Sequence, residues 1–366
     1  MNSKRKTKGI LLCVLAVASI LSTAHRDAKA DFVFGTPTNL GPTVNTSSYD
    51  SDICISNDGL SLYFTSDRAG GSGSYDVWIA TRETTQDPWG EPVNLGPTVN
   101  SSAWDQTPFL SADGLTLFFG STRSGGFGEL DIWFTTRTTV SDPWGTPENL
   151  GSTINTSATD AAIEVSSDGL SFFFNSTRSG GYGGQDLYVS TRPTRSDPWG
   201  EPVNLGPTVN SSDWDYMPAL SADGRFLIFG SNRAGALGMD DLWLTTRETI
   251  VAPWEEPVNL GPEVNSSAGD GGATLSADGS TIYFGSRRPG GSGSADIWQV
   301  SIVPIVDFNG NEVMDLVDLV MLIDAWGTDD TLCDIGPMPW GDGTVDIEDL
   351  KVFMSHWDKQ NSPVLP

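Results

Sequence analysis

A period of 55 residues constrains this chain more than any other feature. The triplet Asn39-Leu40-Gly41 returns at Asn94, Asn149, Asn204 and Asn259. Each unit places an aspartate (Asp50, Asp105, Asp160, Asp215, Asp270) ahead of a short apolar strand. An Asp-Gly pair follows, then a strand rich in Leu, Phe and Tyr that ends in Ser-x-Arg (Arg68, Arg123, Arg178, Arg233, Arg288). A glycine-rich loop leads to Asp-x-Trp or Asp-x-Tyr (Asp76, Asp131, Asp186, Asp241, Asp296), and a Pro-Trp turn precedes the next Asn-Leu-Gly. A repeat of this length is one supersecondary unit that cannot bury its apolar faces alone, so the units must stack.

The Asp-Gly pairs between apolar runs predict hairpins with both turn residues left-handed. Two hairpins per unit make four short antiparallel strands, the content of one propeller blade. The fifth unit stops near Ser301 without a Pro-Trp-Gly segment of its own. Phe34-Gly35-Thr36-Pro37-Thr38-Asn39-Leu40 matches Trp89-Gly90-Glu91-Pro92-Val93-Asn94-Leu95 and can supply that missing piece. A linear array needs no such exchange; a closed ring does. The reading is an all-β, five-bladed β-propeller over 31–303, with a sixth degenerate blade as the alternative.

Asp-x-x-Pro-x-Leu-Ser-x-Asp-Gly, Ser-x-Arg and Asp-Ile-Trp resemble the WD40-like (PD40) repeats of the TolB-type propeller family, over about residues 34–303. The resemblance implies the fold. It does not imply a function, because such propellers serve many.

Residues that recur in every blade read as structure. The Asp50, Arg68 and Asp76 series is expected to form charge-paired struts, with a ring of carboxylates around a cation in the channel as the other possibility. Gly-Gly-x-Gly loops read as flexible connections. Blade-variable residues are more informative. Tyr49, Trp104, Thr159, Trp214 and Gly269 stand before the recurring aspartate, at the start of each innermost strand. The three aromatics, Tyr49, Trp104 and Trp214, are the candidate ligand-binding residues, able to stack on a sugar or grip a peptide at the channel mouth.

Of 366 residues, 47 are acidic and 20 basic, a net charge of −27. Such a chain repels nucleic acid and attracts divalent cations. The basic start, the apolar run Ile10–Leu21 and Ala28-Lys29-Ala30 predict a signal peptide over 1–30, with no membrane span after its removal. The mature chain is expected to be secreted, periplasmic or on the surface of a bacterial cell. Cys54 and Cys333 show no metal-ligand spacing and argue only weakly for a disulfide.

From Ile305 the composition turns acidic. Asp307, Asn309, Asn311, Val313, Asp315 and Asp318 place oxygens at loop positions 1, 3, 5, 7, 9 and 12, an EF-hand-like spacing that suits calcium. Aspartate at position 12, with an apolar helix beginning inside the loop, resembles a dockerin repeat. A second, atypical unit offers Asp342, Thr344, Asp346 and Asp349, with Asp334 as a distant first ligand through a longer loop. Two such repeats over 304–366 resemble a dockerin-like domain, a small α-helical calcium-loop fold, and imply attachment to a cohesin-like or cell-surface protein.

Histidine occurs only at positions 25 and 356, so the propeller can hold no Ser-His-Asp mechanism and no His-ligated zinc. A two-carboxylate glycosidase needs no histidine. Glu164, Glu129 and Asp240 are acids that break the repeat pattern, but none lies in a recognisable motif. The expectation is a non-catalytic binding or scaffold protein with a glycan or protein ligand at the propeller mouth. The alternative is a glycoside hydrolase or an accessory component of a polysaccharide-degrading assembly.

Overall fold

The computed structural model describes residues 32–311, 313–330, 332–336, 341 and 343–361. The expected signal peptide and Asp342 lie outside the described residues. The chain divides into two compact units, Val33–Val303 and a second that contains the described residues from Pro304 onward.

The larger unit is a propeller of five antiparallel sheets. Blade 1 runs outward as Asp50–Ile55, Ser61–Ser66, Asp76–Thr81 and Val93–Asn94, and blades 2 to 4 repeat that order. In blade 5 the strand Asp296–Pro304 takes both Thr38–Asn39 and Phe32–Phe34 as neighbours, so the N-terminal segment completes the last blade. This is the exchange that the two chain ends predict, and it closes the ring at five.

Aromatic layers explain why the sheets stack. Phe64, Phe119, Phe174, Phe229 and Phe284 hold one position in the five blades and are fully buried. Burying each contributes about 1.5–3 kcal/mol. Polar struts orient these layers. Asp50 Oδ1 accepts from Ser66 Oγ and Arg68 Nη2, both at 2.6 Å, and Oδ2 accepts from the Thr46 N–H at 2.6 Å. The same ion pair forms at Asp105, Asp160, Asp215 and Asp270. The carboxylates therefore pair with arginine and do not form a cation ring.

Two expectations about loops change. In the Asp-Gly turns only the glycine is left-handed (Gly59, φ +70°), while Asp58 caps the turn by accepting from Ser56 Oγ and the Leu60 N–H. The glycine-rich loops are not loose connections. Gly73 N–H donates to Asp76 Oδ1 at 3.0 Å, Ser72 N–H donates to Oδ2, and a Cβ on Gly73 would collide with the Ala103 carbonyl of blade 2. Gly128, Gly183, Gly238 and Gly293 press on the next blade in the same way, the last closing blade 5 on blade 1.

The smaller unit holds the helices Leu316–Asp324 and Ile347–Asn361 around a core that includes Phe308, Leu322 and Phe353. No described helix is long and apolar enough to cross a membrane. Cys54 and Cys333 are both free and buried.

Candidate active site at the channel mouth

All five innermost strands bulge at one place. In blade 1 the pairing slips between Ser51 and Cys54, and Asp52 takes φ +54°. Thr107, Ala162, Met217 and Gly272 do the same at +50°, +50°, +53° and +61°. A left-handed residue off glycine is uncommon and re-aims its side chain. Here the bulged segments line a space of only about 30 Å³.

At the mouth where residues 49–52 lie, the ring is uneven. Blade 5 reads Gly269-Asp270-Gly271, where blade 4 has Trp214-Asp215-Tyr216 and blade 1 has Tyr49-Asp50-Ser51. Removing those side chains opens a cleft of about 110 Å³ lined by blades 1, 4 and 5. Asp52 enters from blade 1, Asp240 from blade 4 and Arg287 from blade 5. A tyrosine accompanies each carboxylate: Tyr49 Oη donates to Asp52 Oδ1 at 2.9 Å, and Tyr216 lines the cleft with Asp240. Gly269 stands against Asp240, since a Cβ there would lie 3.4 Å from Oδ2, and a Cβ on Gly271 would lie 3.3 Å from the Tyr216 hydroxyl.

Burial raises the Asp52 carboxyl to about 6, opposed by hydrogen bonds from Tyr49, Thr65 and Ser51 and by the Arg287 charge. Burial also pushes the Tyr216 and Tyr49 phenols up, assisted by the Asp240 and Asp52 charges respectively, so both remain donors. The cleft thus combines Asp52, whose carboxyl burial raises to about 6, with a second, less buried acid, Asp240.

The sequence candidates fall unevenly around this cleft. Tyr49 lines it. Trp104 and Trp214 stand on the same mouth, 48% and 53% exposed, outside the cleft lining. Tyr75 joins Tyr49 to Trp104 edge-to-face, with centroid separations of 5.5 and 5.6 Å. Of the pattern-breaking acids only Asp240 belongs to the cleft. Glu129 is exposed on a loop. Glu164 lines the channel and its opposite end, where burial pushes its carboxyl up. Asp52, Arg287 and Tyr75 escaped the sequence reading. Their signal was blade variability: Asp52 aligns with Thr107, Ala162, Met217 and Gly272.

A larger hollow of about 500 Å³ lies between blades 2 and 3. Its carboxylates, Asp113 and Asp197, cap turns that recur in other blades, accepting from Ser111 and Thr194 respectively.

In the smaller unit the first loop folds around its predicted ligands. Asp307 Oδ1 accepts the Gly310 and Asn311 N–H groups, and Asp318 accepts from the Asn309 and Asp315 N–H groups at 3.2 and 2.8 Å. Asn311 Oδ1 accepts the Val313 N–H, and Asp315 caps the helix through the Val317 N–H. The second loop repeats the plan in longer form. Asp349 accepts from the Ile335, Gly336 and Asp346 N–H groups, Asp346 from Glu348, and Asp334 from Gly343. Thr344 lies between them in the loop. Among the described residues, no three Asp, Glu, His or Cys side chains gather closely enough to hold a metal by themselves.

No protein-family model matches the sequence, and neither does any curated protein. Solved structures do match the fold. An α-L-arabinofuranosidase from Lactobacillus brevis is similar at 16% identity and a TM-score of 0.50, over 73% of this chain and 93% of that one. The catalytic domain of a Coprinopsis cinerea GH62 α-L-arabinofuranosidase is similar at 12% identity and a TM-score of 0.50, over 75% and 98%. TolB from Acinetobacter baumannii is similar at 19% identity and a TM-score of 0.43, over 68% of this chain and about half (51%) of that one. The fold is that of a five-bladed propeller with TolB-like and glycosidase neighbours.

These likenesses correct the expectation of a non-catalytic binding or scaffold protein. Two neighbours, matched over more than nine-tenths of their own length, are named as α-L-arabinofuranosidases. Asp52, the acid at the blade 1 bulge, adds a second carboxyl group beside Asp240 in the cleft.

Proposed function

We propose that the propeller is a glycoside hydrolase whose active site is the cleft between blades 1, 4 and 5. The observation that carries this reading is the meeting of Asp52, hydrogen-bonded by Tyr49, and Asp240, with Tyr216 beside it, in a space opened by blade 5 glycines. Glycoside hydrolysis needs such a pair. Asp52, protonated up to about pH 6, is the general acid that donates its proton to the departing glycosidic oxygen. Asp240 either draws a proton from an attacking water or adds to the anomeric carbon, and the stereochemistry of the product separates the two. Tyr49 and Trp104, with Tyr75 between them, offer an aromatic track leading away from the cleft, suited to further sugar rings.

The test is release of reducing sugar from a panel of polysaccharides. Asp52→Asn and Asp240→Asn, folded as the wild type is, should each lower the rate by about 10²-fold or more. Wild-type rates in both variants, or no hydrolysis across the panel, would reject the assignment.

The tail is proposed to bind calcium. Asp307, Asn309, Asn311, the Val313 carbonyl, Asp315 and Asp318 fit an oxygen-ligand loop, and Asp334, Asp346 and Asp349 with Thr344 supply a longer second one. The hydrogen bonds that draw Asp307 and Asp318 onto one loop support this reading. Such a tail suits docking to a protein partner outside the cytoplasm. Adding calcium to the chelator-treated full-length chain should raise the melting temperature of the transition that contains the helices. An unchanged transition would remove calcium from the account.

A further inference from the structure

Blade 5 breaks a rule that the other four blades keep at the rim of the cleft. In blades 1 to 4 the side chain following the second strand accepts the N–H of the residue before the strut aspartate. Asp67 accepts from Tyr49 at 2.7 Å, Thr122 from Trp104 at 3.1 Å, Thr177 from Thr159 at 3.0 Å and Asn232 from Trp214 at 2.9 Å. In blade 5 the corresponding residue is Arg287, a side chain with donors only. Its partner position is Gly269. Among the described residues, no acceptor takes the Gly269 N–H, and no carboxylate lies within ion-pairing distance of the Arg287 guanidinium. The five strut arginines are all paired.

Blade 5 has thus exchanged a structural hydrogen bond for two unused donors on one wall of the cleft. A Cβ on Gly269 would lie 3.7 Å from Arg287 Cδ and 3.4 Å from Asp240 Oδ2, so the Arg287 side chain passes beside Gly269, with Asp240 next to the same point. A planar guanidinium beside a backbone N–H matches the oxygens of an anionic group, and charge-assisted hydrogen bonds of this kind are strong and directional. A chain with a net charge of −27 otherwise repels anions, so a cation at this spot discriminates sharply.

We propose that Arg287 and the Gly269 N–H bind an oxyanion substituent, a carboxylate or a sulfate ester, on a sugar ring, so that the cleft takes an acidic saccharide. This rests on the glycosidase reading for the location of the sugar, but it concerns binding and not turnover.

Calorimetric titration of the intact chain tests it. The probes are oligouronates beside their methyl esters, and sulfated oligosaccharides beside their unsulfated forms. At least one anionic member should bind about tenfold tighter than its neutral counterpart, and Arg287→Gln should erase that preference, so that anionic and neutral members bind alike, while the melting temperature stays unchanged. The tighter-binding anion identifies carboxylate or sulfate. Equal affinity for charged and neutral partners, no binding by any probe, or a preference that survives in Arg287→Gln would overturn the proposal. Because no turnover is measured, failure of hydrolysis in the wild type would leave an observed anion preference standing.

Discussion

At the residue scale, Asp52 combines strain, burial and chemistry. Its backbone is left-handed, its side chain is buried, and its carboxyl is raised to about 6 from an ordinary value near 3.8. A carboxyl raised on folding stabilises the folded state while it is protonated, and that contribution is lost as the pH climbs from about 4 through about 6. Asparagine has no charged form to bury. Asp52→Asn should therefore gain stability relative to the wild type on going from pH 4.5 to pH 7.5, on the order of 1–3 kcal/mol, read from paired thermal melts. A difference that shrinks over that interval would mean the carboxyl is not held up by burial. Wild-type hydrolysis should decline over the same range as the general acid loses its proton.

Legibility at this scale followed repetition. The Asp50–Arg68 struts were readable because every blade needs them, and each copy confirms the others. Asp52 was not, because nothing in an alternating strand pattern announces a bulge. Its aspartate looked like one more polar residue between strut and core. Arg287 failed to register because its significance lies in an acceptor that blade 5 lacks. That absence needs the other blades' hydrogen bonds to become visible.

At the scale of elements, the glycine-rich loops show how composition misleads. Five glycine-rich segments suggest slack, yet each clamps its own blade's aspartate and abuts the neighbouring blade's carbonyls. Gly128→Ala should cost about 2 kcal/mol or more, because its Cβ would meet the Thr156 and Ala158 carbonyls and backbone must move. Chemical denaturation measures this, and a neutral result would mean the loops yield freely. The Asp-Gly turns were readable in place but not in kind. Asp58 serves as a side-chain cap, with its carboxyl held low chiefly by the Ser56 hydroxyl, and leaves the left-handed geometry to Gly59 alone.

At the scale of the whole molecule, ring closure was legible because the missing piece of unit five is present at the start of the chain. Five copies of one blade would give a symmetric ring, and function enters where symmetry fails. Deleting residues 32–39 removes the strands that complete blade 5 and should lower the melting temperature by several degrees or more, since a 1 kcal/mol loss shifts a domain of this size by about 2–4 °C. A melt that coincides with the full-length chain's would show that the ring closes without its latch. The central claim is that the cleft made by blade 5 glycines is the site of hydrolysis. Gly269→Thr with Gly271→Ala gives blade 5 the residues of blade 3, Thr159 and Ala161, and fills the space against Asp240 and Tyr216 without altering either acid. The account predicts that this double variant melts with the wild type and releases no sugar from the substrate the wild type cleaves. Hydrolysis at the wild-type rate would contradict it.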